Sequence, residues 1–294
     1  MSEGALHRLD DAALRAWPLP APRPDGDKKN RGSVTLVAGM RETPGAALLA
    51  ARAALRAGAG RVVVATGVST AAALALAQPE LRVIGLRETD DGTPDPAEAP
   101  RLAHLAERSD VLLVGPGWID ERASTALARA LLAVFSGVPT LLDAAAMGAV
   151  LDDPTQRAPL LVTPHAGEMA HLLHRPMHEV RADAAGCARA LAQRCNAVVA
   201  LKGATTHLAQ PDGEVWRHET CEIGLATAGS GDVLAGLVAG LAARGATLAQ
   251  AAAWAVGVHA HAGARLARRT GRLGYLACEV ADEIPAAIEG IGAT

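Results

Sequence analysis

The chain has 294 residues, half of them hydrophobic and a fifth charged, so it has material for a sizeable core and is not composed like a disordered protein. A formal charge of −3 offers no broad basic field for nucleic acid or an acidic membrane surface, so partners are selected by a pocket rather than by bulk charge. Gly, Arg, Gln and His interrupt every alanine-rich stretch before it could span a bilayer, and residues 1–10 show no basic stretch followed by an apolar run; the expectation is a soluble cytoplasmic protein.

Residues 1–33 read as an N-terminal arm. Pro18, Pro20, Pro22 and Pro24 stiffen it, and the polar run from Asp25 to Arg31 suits an extended surface path. Residues 34–294 then read as a single domain. Short β-branched or leucine-rich runs predict buried strands at Val34–Ala38, Arg61–Ala65, Leu81–Leu86, Val111–Gly115, Thr140–Asp143, Leu160–Thr163 and Ala197–Leu201. Helical stretches fall between them at Gly45–Ala57, Glu121–Phe135 and Ala182–Arg194, which implies right-handed crossovers and a largely parallel sheet. Asp90–Pro100, rich in Asp, Thr and Pro, reads as a surface loop. Thr205–Ala209 and Glu214–Arg217 read as an antiparallel hairpin, and the last third as three helices, Gly231–Ala243, Leu248–Arg268 and Ala277–Ile288. The fold class is therefore α/β, a three-layer α/β/α domain.

The most informative stretch is Leu225-Ala226-Thr227-Ala228-Gly229-Ser230-Gly231-Asp232, which runs straight into an apolar helix. Two glycines around a serine let backbone amides approach an anion, and the helix start adds unpaired N–H groups and the positive end of its dipole. That chemistry suits a phosphate, and above all charge developing during phosphoryl transfer. An Asp in a first helical turn is commonly only a dipole partner, so Asp232 gains weight from its context. A strand ending at Lys202 followed by Gly203-Ala204-Thr205-Thr206 places a lysine and two hydroxyls at a strand end, where such folds bind ligands; an ordinary solvated turn is the bland alternative. In Thr163-Pro164-His165-Ala166-Gly167-Glu168, Pro164 is expected to start a helix with His165 facing a ligand, the alternative being a cap with His165 on the surface. Gly115-Pro116-Gly117 and Pro44-Gly45-Ala46-Ala47 are further turns of small residues at strand ends.

The other histidines give no metal site. Pro176 interrupts His171, His174 and His178, while His259 and His261 lie two apart on a predicted helix and face different sides. Cys187, Cys195, Cys221 and Cys278 form no CxxC pair and read as buried or incidental thiols. Neither a Walker A motif nor a strand-linked GxGxxG is present.

Together these blocks resemble the NAD(P)H-hydrate dehydratase family, whose members adopt the ribokinase-like fold. The likeness spans residues 28–290 and rests on five ordered blocks: Pro44–Ala47 through Gly60, Gly115–Gly117, Thr163–Glu168, Lys202–Thr206 and Gly224–Asp232. It implies ADP-dependent dehydration of the hydrated dinucleotides NADHX and NADPHX to NAD(P)H, with release of AMP and phosphate. It further implies Asp232 acting on the hydrate hydroxyl, and Lys202, Gly203, Ala204, Thr205, Thr206, Gly229, Ser230 and Gly231 on the nucleotide. Ala46, Gly115, Gly117 and His165 would line the hydrate. ADP as co-substrate (with ATP as an alternative), Mg2+, a homotetramer and an epimerase on a separate chain complete the implication. The chain departs from the family pattern at Trp118-Ile119, at Ala145, where a second acidic residue is usual, and at Glu222-Ile223, where Asn-Pro is usual. The glycine turn alone also fits a vitamin-precursor kinase of the same fold, or a nucleotide-binding protein without turnover; the Lys-Gly-Ala-Thr-Thr and Pro-Gly-Ala-Ala blocks favour the dehydratase.

Overall fold

Runs of Val and Leu form the strands of this protein, and helices built largely of Ala and Leu return the chain between them. The computed structural model describes residues 5–21, 27–28, 30–151, 158–220 and 222–292; Pro22, Pro24 and Cys221 lie outside the described residues. The chain opens with β1 (Leu6–Arg8) and α1 (Asp11–Ala16) and enters the sheet centre at β2 (Ser33–Val37). α2 (Pro44–Arg56), β3 (Arg61–Gly67), α3 (Val68–Ala77) and β4 (Arg82–Leu86) carry it to one edge. After a 3-10 helix (Pro96–Leu102) and α4 (Ala103–Ala106), β5 (Val111–Val114) returns to lie beside β2.

α5 (Glu121–Val134), β6 (Thr140–Leu142), a 3-10 helix (Ala144–Leu151) and β7 (Leu160–Val162) begin the other half. α6 (Ala166–Leu173), α7 (Met177–Ala182), α8 (Ala184–Cys195) and β8 (Val198–Leu201) follow. The hairpin of β9 (Thr205–Ala209) and β10 (Val215–Glu219) leads to α9 (Ser230–Ala243), α10 (Leu248–Arg269) and α11 (Ala277–Gly292).

Among the described residues the ten strands form one sheet in the order β1-β10-β9-β8-β7-β6-β5-β2-β3-β4, and β9 alone is antiparallel to its neighbours. The chain builds outward from β2 in one direction and from β5 in the other. The order therefore reverses between these two strands, and their carboxyl ends open a crevice there. Alternate strand residues feed two cores. Leu36, Leu113 and Leu161 pack with α2, α9, α10 and α11, while Val37, Leu112 and Val162 pack with α5, α6 and α8. The expected three-layer architecture is the one observed.

Two expectations are corrected. The arm is not extended throughout: β1 pairs with β10 at the sheet edge, and Leu14 of α1 is fully buried, because a short apolar helix capped by Asp10 outweighs the stiffness of the prolines beyond it. The segment read as a surface loop at 90–100 is partly internal. There Thr93 and Glu98 are buried, and against the cost of burial Arg101 and Arg87 hold the Glu98 carboxyl down at about 2. Cys187 and Cys195 are buried, free and pushed up in pKa by burial, as expected of inert thiols; Cys278 is free and half-buried. No helix among the described residues is long and apolar enough to cross a membrane.

The packing of α9 on α2 sets the height of everything at the start of α9. A Cβ on Gly236 would lie 2.0 Å from the Ala50 carbonyl oxygen, and one on Gly240 would lie 2.6 Å from that of Ala54. The two backbones touch. Gly236→Ala gains about 1 kcal/mol of helix propensity, but it must push apart two backbones, and we expect a net loss of about 1–3 kcal/mol in urea unfolding. Unchanged or increased stability would contradict this contact.

Candidate functional site

Three neighbouring parallel strands end side by side and deliver the charged residues. β6 leads to Asp143, β7 leads through Thr163 and Pro164 to His165, and β8 leads to Lys202. The Lys202 amide donates to the Pro164 carbonyl at 2.7 Å, and His165 and Lys202 form a parallel bridge that extends the β7–β8 ladder. Asp143 is buried, accepts a hydrogen bond from the Thr163 hydroxyl, and pairs with Lys202 Nζ at 3.1 Å. Burial opposes the charge on Lys202, yet Asp143, Glu168 and Asp232 together keep its pKa above the ordinary lysine value. The ammonium stays charged in a largely closed site.

The switch-point turns close against this group. Gly115 adopts φ 113°, and a Cβ there would lie 2.0 Å from the carbonyl oxygen of Asp143, so only glycine lets β5 end so near β6. A Cβ on Gly117 would lie 2.5 Å from the Cβ of Ala46, and the Thr43 hydroxyl donates to the Gly117 carbonyl. Ala46, Gly115 and Gly117 thus meet beside Asp143. Trp118 and Ile119 line a smaller cavity of about 240 Å³ together with Ala145, so two of the departures from the family pattern share one place.

The turn Gly229–Asp232 lies across from Lys202. Gly229 takes the left-handed conformation (φ 85°) and caps α9 without any side-chain cap. A correction follows for the amides: Ser230 N–H donates to the Thr227 carbonyl at 3.3 Å. The amides of Gly229, Gly231 and Asp232 have no acceptor among the described residues. The Ser230 hydroxyl instead lies 3.1 Å from His259 Nε2. Asp232 is mostly buried. That burial, reinforced by the like charge of Asp143 and opposed by Lys202, raises its pKa from 3.8 to about 7. A carboxylate in that range can hold or release a proton near neutral pH.

Between the Lys202 turn and the start of α9 lies a cavity of about 710 Å³, within the range of small-molecule sites. His165, Lys202, Gly203, Ala204 and Thr206 line one side, and Thr227, Ser230, Gly231 and His259 the other. His218 and Glu222 add polar edges, while Leu225, Leu234 and Val256 give an apolar wall. Thr205, Gly229, Asp232, Ala46, Gly115 and Gly117 do not line it. Thr205 precedes Thr206 on β9 and so faces the other side of the sheet, while Asp232 lies past Gly231 towards Asp143.

His165 is corrected in part. It is the residue before α6 rather than part of its first turn, and Pro164 does not start the helix. Its Nδ1 accepts from the amides of Gly167 and Glu168 at 3.0 and 3.1 Å, so the capping role is real, and its Nε2 lies 3.6 Å from Glu168 Oε1. Sequence reasoning overlooked Asp143 as the partner of Lys202, and it discounted His259 by asking only whether two histidines could share a metal. The available signal for Asp143 was an acidic residue closing an apolar strand.

Comparison with known proteins follows the same lines. A profile of the NAD(P)H-hydrate dehydratase family matches residues 34–286. The chain is 45% identical over 291 residues to the ADP-dependent (S)-NAD(P)H-hydrate dehydratase of Xanthomonas campestris pv. campestris, covering 98% of each. It is 39% identical over 283 residues to the bifunctional NAD(P)H-hydrate repair enzyme of Moorella thermoacetica, covering 95% of this chain and 53% of that one. Among solved structures it resembles the Bacillus subtilis ADP/ATP-dependent NAD(P)H-hydrate dehydratase co-crystallised with ATP/Mg2+ (TM-score 0.85, 28% identity, 97% of this chain and 99% of that one). The ribokinase-like fold is thereby shown.

The raised pKa of Asp232 has a measurable consequence. The folded chain keeps a proton that the unfolded chain has released, so the group's contribution is full below 3.8 and stability is lost as pH rises towards about 7. Asp232→Asn removes this loss. Its gain in thermal midpoint over the wild type should be larger at roughly pH 8 than at roughly pH 4; equal gains would contradict the burial of an ionisable Asp232.

Proposed function

This chain belongs to the NAD(P)H-hydrate dehydratase family, and from that premise we propose that it restores NADHX and NADPHX to NAD(P)H while converting ADP to AMP and phosphate. The observation that carries the reading is the position of Asp232, tuned to about 7, between open backbone amides and the Lys202–Asp143 pair. Hydroxide is a poor leaving group, so dehydration needs the hydrate's hydroxyl turned into a phosphate ester first. Asp232 takes the hydroxyl proton as the oxygen attacks the terminal phosphorus of ADP, and AMP departs with the bonding electrons. The ring nitrogen then expels phosphate, and loss of a proton from the neighbouring carbon restores the dihydropyridine.

The nucleotide occupies the larger cavity, with Lys202 as a point charge and Gly203, Ala204 and Thr206 alongside. Thr205 contributes through the turn it shares with them. The amides of Gly229 and Gly231 and the Ser230 hydroxyl receive the transferring phosphoryl group. Ala46, Gly115, Gly117 and the ring of His165, whose Nε2 lies 3.6 Å from Glu168 Oε1, face the hydrate.

Mg2+ neutralises phosphate charge when bound. Asp232 and Asp143 are the acidic residues that would help hold the ion beside the phosphate oxygens. ADP rather than ATP as co-substrate, a homotetrameric assembly and a cytoplasmic setting belong to the same proposal. So does an epimerase acting from a separate polypeptide; the bifunctional repair enzyme of Moorella thermoacetica supports the pairing of the two activities.

A coupled assay tests the reading: enzymatically hydrated NADH with Mg2+ and either ADP or ATP should regain absorbance at the reduced-nicotinamide wavelength, ADP being preferred. No recovery, together with phosphorylation of a vitamin precursor, would reject it. Asp232→Asn should lose turnover by about a hundredfold or more while ADP binding survives. In the wild type, kcat/KM should fall as pH drops through about 7, because the base must be unprotonated. Full activity in the variant, or a flat profile, would remove Asp232 as the base.

A further inference from the structure

His259 is a polar group of the cavity that the chemistry above does not use. It projects from α10, and its Nε2 lies 3.1 Å from Ser230 Oγ at the very start of α9. A serine hydroxyl has one proton and two lone pairs, and a neutral imidazole has one donor and one acceptor nitrogen. If Nε2 accepted, the only proton on Oγ would turn towards the ring and its lone pairs would face the phosphate oxygens, which are acceptors alone. If Nε2 donates, the hydroxyl proton is free for the phosphate. We propose that His259 is a positioning residue that donates from Nε2 to Ser230 Oγ, and so aims the Ser230 hydroxyl at the nucleotide phosphate.

The inference rests on the phosphate reading of the Gly229–Gly231 turn. Burial, helped by the nearby Lys202 charge and opposed by the Ser230 backbone, pushes the His259 ring down to about 4, so it is neutral at working pH and the choice of tautomer has meaning. The serine cannot drift away from it, since α9 is seated backbone to backbone on α2 at Gly236 and Gly240.

A double-mutant cycle in ADP affinity, read by calorimetry with Mg2+, tests the relay. Ser230→Ala and His259→Leu should each weaken ADP binding by about tenfold, and the double variant should be no weaker than Ser230→Ala alone. A full additional loss in the double variant would mean that His259 acts independently of Ser230 and would overturn the proposal, as would unchanged affinity in His259→Leu. Should His259→Leu fail to fold, nitrogen-15 NMR of the wild-type histidines decides the matter, with His259→Gln providing the assignment. ADP-bound protein should show His259 protonated on Nε2, and an Nδ1–H tautomer would overturn the relay. A wild type that binds no ADP would overturn the phosphate reading itself and the relay with it, an outcome distinct from ADP binding that ignores His259.

Discussion

The buried pair of Lys202 and Asp143 is the interaction on which the site depends. Neither charge has much access to water, and truncating one partner of such a pair costs about 3–5 kcal/mol because the other is left buried alone. The protein meets the desolvation cost with geometry. Three adjacent parallel strands bring the two residues together, Thr163 donates a further hydrogen bond to Asp143, and Gly115 permits an approach that any side chain would block. Asp232 then sits in a field of two opposed neighbours, with Asp143 raising its pKa and Lys202 lowering it, and burial decides the balance.

A second constraint is steric. Aromatic residues make up only 2% of the chain, so the core is filled by Ala, Leu and Val, and helices can lie unusually near one another. Gly236 and Gly240 take this to the limit, bringing the backbone of α9 onto α2. At the cap of the same helix a Cβ on Gly229 would lie 2.4 Å from Leu49 Cδ1, so the Gly229–Asp232 turn is seated on α2 as well. The small residues of α2 and α9 let the two helices close on one another and hold the turn in place.

Much of this was legible in the sequence. Strand runs bounded by Gly, Pro or charge predicted the parallel half of the sheet, the Pro-Asp-Gly turn predicted the hairpin, and strand-end motifs pointed to one side of the sheet. What escaped were elements whose signals are local and weak: α3 is a helix starting in Val68-Ser69-Thr70, where β-branched residues argue against one, and α1 is only six residues long. At the site, side-chain partnerships were hidden because they join distant positions. Ser230 and His259 meet only because α9 and α10 pack together, and Lys202 and Asp143 only because β6, β7 and β8 are neighbours. The histidine at 165 shows the opposite case, where a short-range rule foresaw the cap and a function was read beside it.

The edge strand β1 has a consequence for how the chain acquires its shape. Leu6 pairs with Val215, so this strand finds its partner only after about two hundred further residues have been made. Until then its three exposed residues and the apolar face of α1, with Leu14 at its centre, have nothing to pack on. Docking this segment closes a long loop of the chain, and Leu14 then meets Gly257 of α10. It acts as a clasp that ties positions about two hundred residues apart into one sheet edge.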